Sequence, residues 1–258
     1  LYKPAGMPWL APANLDTTGN VGQYASITAD ATGRVHVAYY DVTNADLKYI
    51  SRPAGGAWEQ AITVDTVGNT GQFTSIAVDS AGMAHISYYD VTNADLRYVS
   101  KPMGGAFNAP VSVDTTGNRG QYSSIAVAPD NSVHIAYYDA TAQDLRIASR
   151  AAGQMMWTSA TVDTAGRVGE YASLEIGSGG KFHVSYSLLV PIPNTTTFRG
   201  NLRYATRPSA AGAWTLSTLE TVGDVGLYTS IAVAAGGDAH IGYYDKGNTD
   251  TRHFYQCP

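Results

Sequence analysis

Tyrosine and aspartate occur as a repeated pair in this sequence, in a form suited to binding a polar ligand. Tyr40-Asp41 is the first such pair, and Gln23 lies upstream of it. A tyrosine offers an apolar ring for stacking, while carboxylate, amide and hydroxyl groups form directed hydrogen bonds. We predict that these residues and their counterparts bind a ligand. The predicted ligand-binding residues are Gln23, Tyr40, Asp41, Gln72, Tyr89, Asp90, Gln121, Tyr138, Asp139, Tyr244 and Asp245.

Histidine, a common metal ligand, recurs in the pattern His-Val/Ile-x-Tyr. The recurring residues are His36, His85, His134, His183 and His240. A ring of imidazoles holding a metal is one interpretation. The apolar residues around each histidine, and a serine that recurs in step with it, such as Ser26, favour a buried His–Ser hydrogen bond instead. We therefore expect no metal site and no cofactor.

Two further polar patterns are typical of turns. The motif Asp-Thr-x-Gly-x-x-Gly begins at Asp16, Asp65, Asp114 and Asp163, with Glu220 in a fifth copy. Here an aspartate accepts backbone N–H groups and glycines adopt positive φ. A phosphate-binding loop is the weaker interpretation, because such loops normally precede a helix. The spacing of Asp41, Asn44 and Asp46 faintly resembles a calcium loop, but the bidentate glutamate of such a loop is missing.

All of these positions belong to a long internal repeat, which determines the fold. Copies begin near Leu15, Val64, Val113, Val162 and Leu219. Alternating apolar and polar residues between turn signals predict four short strands in each copy. In the first copy these strands run through residues 24–29, 34–40, 47–52 and 58–64. Four strands in a repeat of about fifty residues predict a blade of a β-propeller. We therefore predict an all-β, five-bladed propeller.

The two ends of the sequence predict how this propeller closes. The last copy stops near Tyr255 and lacks a fourth strand, whereas residues 1–14 match that missing strand. We expect residues 1–14 to complete the last blade, so that residues 1–258 form one domain. A solenoid would instead need atypical capping repeats.

Composition excludes several classes of function. The chain has 258 residues, 14% of them charged, and a net charge of -5, so it lacks the basic surface expected of a nucleic-acid partner. No apolar stretch approaches the ~20 residues that span a bilayer, and we expect no membrane insertion. The single cysteine, Cys257, excludes an internal disulfide framework and a cysteine-based zinc site.

The fourth copy departs from the others. Ser187-Leu188 replaces the Tyr-Asp pair, and residues 188–200 contain an insertion with two prolines. We expect the Asp-Thr-x-Gly loops and the Tyr-Asp turns to lie together on one face of the propeller, which we call the polar rim. On this rim the insertion would form a lid over the central channel or a surface for a protein partner. Arg119, Arg167 and Asp224 also replace uncharged residues in the loops between copies.

The repeat pattern Ser-Ile/Leu-x-x-Asp-x-x-Gly-x-x-His-Ile/Val-x-Tyr-Tyr-Asp-x-x-x-x-Asp-Leu-Arg/Lys-Tyr resembles that of bacterial secreted β-propeller repeat proteins, loosely grouped with BNR-like propellers. The five near-identical copies are similar in architecture to tachylectin-type lectins. The resemblance implies a secreted or cell-surface protein and leaves its activity open.

We expect a multivalent carbohydrate-binding protein, with a glycan or another small polar ligand at repeated sites on the polar rim. A glycoside hydrolase or polysaccharide lyase is the alternative, with Glu170, Glu175 and Glu220 as the carboxylates whose surroundings differ. A third interpretation is a scaffold domain of a surface protein, with its partner bound at residues 188–200.

Overall fold

The computed structural model describes residues 11–256, and this part of the chain is all-β. It contains nineteen strands in five antiparallel sheets and no helix. The first sheet comprises β1 (Val21–Ala29), β2 (Val35–Asp41), β3 (Asp46–Arg52) and β4 (Ile62–Asp65). The second comprises β5 (Thr70–Val78), β6 (Ala84–Asp90), β7 (Asp95–Lys101) and β8 (Val111–Asp114). The third comprises β9 (Arg119–Val127), β10 (Val133–Asp139), β11 (Asp144–Arg150) and β12 (Thr158–Asp163).

The last two sheets differ from these in length and in number of strands. The fourth comprises β13 (Arg167–Ile176), β14 (Phe182–Pro191), β15 (Phe198–Arg207) and β16 (Thr215–Glu220). The fifth comprises β17 (Leu227–Val233), β18 (Ala239–Asp245) and β19 (Asp250–Gln256). In every sheet the strands are ordered as they occur in the chain. We call β1, β5, β9, β13 and β17 the inner strands, because residues of all five line one central depression.

The apolar core lies between neighbouring sheets. Leu47 and Tyr49 of the first sheet, for example, pack with Ile76 and Ile86 of the second, and all four are at least 95% buried. Burial of such side chains is the main driving force for stacking one sheet on the next. A serine of each of the first four inner strands also accepts the backbone amide of the next inner strand, as Ser26 does from Ile76 at 3.1 Å. The same bond recurs between Ser75 and Ile125, Ser124 and Leu174, and Ser173 and Ile231.

The outermost strand is shorter than predicted. We expected it over residues 58–64, but β4 covers Ile62–Asp65. Trp58 lies outside the sheet ladder, with the Arg52 guanidinium 5.6 Å from its ring centroid. Trp58 also packs against the buried residues Val37, Tyr39 and Ile50.

The fifth sheet has three strands in the described part of the chain. The strand predicted to complete it falls largely on residues 1–10, which lie outside the described residues. On the first sheet, Ile27 is 68% exposed, whereas its counterparts Ile76, Ile125, Leu174 and Ile231 are at most 7% exposed.

Candidate functional site

A β-bulge interrupts each inner strand at the same repeat position. In the first sheet Gln23 pairs with Tyr40 and Ser26 pairs with Ala38, so two residues, Tyr24 and Ala25, lie opposite one. Corresponding register shifts occur in the other four inner strands. Bulges of this kind redirect a side chain and are frequent beside functional sites.

The first residue of every bulge is aromatic and has a left-handed backbone. The residues and their φ angles are Tyr24 (52°), Phe73 (51°), Tyr122 (53°), Tyr171 (56°) and Tyr228 (51°). Positive φ is unusual for residues with large side chains and costs roughly 1–2 kcal/mol at each position. Five repeats therefore keep the same unfavourable conformation to aim an aromatic side chain in one direction.

These five aromatic side chains line one open depression, which we call the aromatic dish. It has a volume of about 380 Å³, and Ala25, Thr74, Ser123, Ala172 and Thr229 complete its lining. Ring centroids of neighbouring sheets are 4.9 Å apart for Tyr24 and Phe73 and 4.4 Å apart for Tyr171 and Tyr228. Both intermediate pairs are 4.6 Å apart. The dish thus presents a nearly continuous aromatic surface with hydroxyl groups at its tyrosines.

The tyrosines predicted to bind ligand lie behind this dish. Tyr40, Tyr89 and Tyr138 are at most 5% exposed. The ring of Tyr40 is 6.2 Å from that of Tyr24, and its hydroxyl donates to Asn69 of the next sheet at 2.9 Å. Tyr244 has the same place beside Tyr228, at 6.4 Å. Their observed contacts support the dish from outside; direct contact with a ligand stays a prediction.

The aspartates of the predicted set are buried at the turns between the second and third strands of their sheets. Asp41, Asp90, Asp139 and Asp245 are at most 1% exposed. Asp41 accepts the amide of Thr43 at 3.0 Å and the side-chain amide of Asn44 at 2.8 Å. Asp90, Asp139 and Asp245 accept the corresponding turn amides. These bonds use much of each carboxylate's capacity to accept hydrogen bonds.

Gln23, Gln72 and Gln121 are the more accessible members of the set. Gln23 is exposed, and the other two are half-buried. Each directly precedes an aromatic residue of the dish, and Gln121 donates to Asn118 at 3.3 Å. Their position at the edge of the dish is compatible with contact to a ligand, and that contact also stays a prediction.

A charged cluster at each junction holds neighbouring sheets together. Asp65, at the end of β4, accepts the hydroxyl of Tyr88 at 2.6 Å and lies 3.2 Å from Arg97 of the second sheet. Burial and the Asp65 carboxylate raise the pKa of Tyr88, which keeps its hydroxyl protonated as a donor. The same tyrosine–carboxylate bond joins Tyr137 to Asp114, Tyr186 to Asp163 and Tyr243 to Glu220. The aspartate of the Asp-Thr-x-Gly motif thus binds a tyrosine of the next sheet in addition to its role in a turn.

The histidines lie on the faces between sheets, where His36 pairs with a tyrosine. The prediction of a bond to a first-strand serine is wrong for this residue: His36 bonds to Tyr49 at 2.6 Å and lies 3.4 Å from Asp30. The strand register explains the difference, because Thr28 rather than Ser26 lies opposite His36. Within residues 11–256 there is no cluster of three or more histidine, cysteine, aspartate or glutamate residues suited to a metal ion.

The fourth sheet breaks the symmetry of the dish. Glu170 replaces the glutamine that precedes the aromatic residue, and it pairs in the ladder with Ser187 instead of a tyrosine. Glu170 is 5% exposed, and both Nε and Nη2 of Arg167 lie 2.7 Å from its Oε1. Arg167 in turn lies 5.4 Å from the ring centroid of Phe198. The hydroxyl of Ser187 is buried and has no hydrogen-bond partner in the described part of the chain.

The insertion in the fourth copy extends the hairpin formed by β14 and β15. Its added ladder pairs Val190 with Arg199 and Pro191 with Phe198. Phe198 and Ile192 are 40% and 36% exposed. The hairpin lies beside Arg167, which pairs with Leu189, so it borders the charged edge of the dish.

No protein-family model matches the chain, and no curated protein matches it in sequence. Among solved structures, an ulvan lyase of polysaccharide lyase family PL25 has a TM-score of 0.63 and 14% identity, over 92% of this chain and 71% of that one. A GH43 β-1,3-galactosidase has a TM-score of 0.56 and 12% identity, over 91% and 89% of the two chains. NanB sialidase from Streptococcus pneumoniae has a TM-score of 0.58 and 10% identity, over 92% and 61%. These neighbours are propeller-fold proteins, and the likeness is one of fold.

In the described part of the chain there is also no helix that meets the length and hydropathy of a membrane span.

Proposed function

We propose that the protein is a carbohydrate-binding β-propeller with five blades, and that the aromatic dish is the floor of its glycan-binding site. One observation carries the proposal: five aromatic residues, one from each sheet, share a strained left-handed conformation and line one open depression. Strained backbone of this kind is found mainly where function requires a particular side-chain direction. An aromatic surface with hydroxyl groups matches a sugar, which has both an apolar face and polar edges.

This geometry favours one shared site over several equivalent ones. Repeated rim sites would need free aspartates and tyrosines in each blade, but Asp41 and Tyr40 are 1% and 4% exposed. The glutamines beside the dish, such as Gln23 and Gln121, are better placed to hydrogen-bond the edge of a sugar. We therefore expect one glycan segment per chain.

The proposed propeller includes a closed ring formed by one domain. The four observed junctions each contain a serine that accepts the amide of the following inner strand. Ser230 is the fifth such serine, and its hydroxyl has no hydrogen bond in residues 11–256, while Ile27 exposes the side chain that the other junctions cover. Ring closure would pair Ser230 with the Ile27 amide, with residues 1–14 completing the fifth blade. Hydrogen exchange tests this: the Ile27 amide should exchange as slowly as that of Ile76, and fast exchange would contradict closure.

The names of the similar structures support a carbohydrate ligand. They are an ulvan lyase, a β-1,3-galactosidase and a sialidase, each named for a carbohydrate. We extend only the ligand class to this chain, together with a secreted or cell-surface location, where polysaccharides are encountered.

A glycan array followed by titration calorimetry tests the proposal. Tyr122→Ala should weaken binding of the best array glycan, because it removes one ring from the middle of the dish. Tyr122→Phe is the matched control, since Phe73 has the same place in the second sheet. It keeps the ring and should retain most of the affinity. Equal affinities of wild type and Tyr122→Ala, or no glycan bound by wild type, would contradict the proposed site.

A carbohydrate-active enzyme is the second candidate, and Glu170 is the observation that favours it. This carboxylate is 5% exposed and directly precedes Tyr171 of the dish, where three other sheets have glutamine. Glu170→Gln therefore introduces a residue that the fold already accepts. If the protein cleaves a polysaccharide, this variant should bind substrate and lose turnover. Unchanged turnover would exclude Glu170 as the acid or base.

A further inference from the structure

We propose that the cleft between the first and second sheets binds a guanidinium group. This cleft lies at the ends of β1 and β2 that are joined by residues 30–34, opposite the end that carries the Tyr40-Asp41 turn. It has a volume of about 190 Å³, and its lining includes Asp30, His36, Tyr49, Glu59 and Lys101. It is separate from the aromatic dish, none of whose lining residues it shares.

The next junction shows what such a cleft accommodates. Between the second and third sheets, Arg150 donates from Nη2 to the Tyr98 hydroxyl at 2.7 Å, and its guanidinium lies 4.5 Å from the Tyr98 ring centroid. Trp157 lies against the same guanidinium at 5.0 Å. The Tyr98 hydroxyl also bonds to His85 at 2.6 Å. The protein thus fills this junction with its own guanidinium.

The first junction has the same tyrosine and histidine but no guanidinium in the place of Arg150; the guanidinium in its lining is that of Arg34, which donates to Ser51 and Glu59. Tyr49 takes the place of Tyr98 and bonds to His36 at 2.6 Å, as Tyr98 does to His85. His36 lies 3.4 Å from Asp30, and the corresponding distance in the second sheet is 3.3 Å. The tyrosine and histidine are 1% and 4% exposed, so this half of the site is rigidly packed.

The residue that corresponds to Arg150 is Lys101. The side chain of Lys101 makes no hydrogen bond or ion pair in the described part of the chain, while its backbone pairs with Ala84 in the ladder. An ammonium group has no planar face, so it cannot both stack on Tyr49 and donate to its hydroxyl as a guanidinium does. Phe107 takes the place of Trp157, with its ring 5.1 Å from that of Tyr49. The aromatic walls therefore remain, and the flexible lysine can swing out into water.

The charges of the cleft suit a single cation. Asp30 and Glu59 contribute two carboxylates, while Arg34 is paired with Glu59 at 2.8 Å. Burial lowers the pKa of His36, despite the opposing effect of Asp30, so the imidazole adds no positive charge at neutral pH. Once Lys101 has moved aside, the remaining charges of this group sum to about -1.

NMR titration of the full-length protein tests the proposal with two arginine probes and a lysine control. The probes are N-acetyl-arginine amide, which represents a free guanidino compound, and acetyl-Gly-Arg-Gly-amide, which represents a peptide side chain. Both should shift the Tyr49 and His36 resonances saturably if the guanidinium alone is recognised, and binding of only one probe would assign the site to that source. Acetyl-Gly-Lys-Gly-amide should bind at least tenfold more weakly. Equal binding of the lysine peptide, or no saturable shift with either arginine probe, would overturn the proposal.

The decisive variant is Lys101→Arg, which supplies the guanidinium from the protein itself, as Arg150 does at the next junction. It should shift the Tyr49 resonance without added probe and weaken arginine binding at least tenfold. Binding of array glycans should be unchanged, so the result is independent of the dish. A Lys101→Arg protein that binds the arginine probes as tightly as wild type would refute the inference.

Discussion

The strain at the aromatic bulges predicts an unusual order of stability among variants of Phe73. At φ 51° an L residue is strained by about 1–2 kcal/mol, whereas glycine tolerates the conformation. Glycine normally lowers stability relative to alanine by about 0.5–1 kcal/mol through its greater backbone entropy when unfolded. The difference predicts Phe73→Gly to be about 0.5–1 kcal/mol more stable than Phe73→Ala. Both should be less stable than wild type, because the contacts of Phe73 with Tyr24 and Tyr122 are lost.

Urea unfolding followed by tryptophan fluorescence measures this order. Ala77, further along the same strand, is the control, because it does not have positive φ. Ala77→Gly should lower the free energy of unfolding by about 0.5–1 kcal/mol, the reverse of the sign at Phe73. The strain argument fails if Phe73→Ala equals or exceeds Phe73→Gly in stability.

Three further predictions concern the charged groups between sheets. Tyr88→Phe should lower the free energy of unfolding by about 1.5–3 kcal/mol at neutral pH, because it removes a donor to the buried Asp65 carboxylate; a loss below 0.5 kcal/mol in urea unfolding would contradict this role. Burial opposes ionisation of Asp16, but its hydrogen bonds, chiefly from Lys48, lower its pKa to about 2. Because this pKa lies below the value in the unfolded chain, ionised Asp16 should contribute about 2 kcal/mol to the free energy of unfolding above pH ~4, and this contribution should be lost between pH ~4 and ~2. An NMR titration of Asp16 with a midpoint near 4, or a midpoint that Lys48→Met does not raise, would contradict this prediction. Arg207 is 8% exposed and lies between two aromatic rings, and its Nε and Nη2 have no hydrogen-bond partner in residues 11–256. Arg207→Met should therefore leave the free energy of unfolding nearly unchanged or raise it, whereas a loss above ~2 kcal/mol in urea unfolding would show that the cation is stabilising.

The repeat was sufficient to predict the strands and their grouping, because alternation and turn residues are local signals. It could not reveal the bulge at Tyr24-Ala25, since one extra residue in a strand leaves no distinct mark in a period of two. The recurrence of an aromatic residue directly after Gly-Gln was the available signal for the dish. From the sequence, we instead assigned ligand binding to the tyrosine before Asp41. That tyrosine packs behind the dish, because its position in the register opposes Gln23 and not the bulge.

The sequence pattern also did not predict which side chains meet between neighbouring sheets. Tyr88 and Asp65 belong to one copy of the repeat, but they lie in different sheets. Their bond depends on how neighbouring sheets pack, which the sequence does not show. The same holds for Arg150 and Tyr98, whose contact explains why a lysine at position 101 leaves a cleft. The symmetry-breaking residues Arg167 and Glu170 were visible in the sequence, but only the structure places them together at the edge of the dish.

Titration calorimetry with the best array glycan tests the central claim most directly. A shared aromatic dish predicts one glycan segment bound per chain, with affinity reduced by Tyr122→Ala and retained by Tyr122→Phe. Four or five equivalent sites per chain, unaffected by Tyr122→Ala, would place binding at the blade rims and contradict the account.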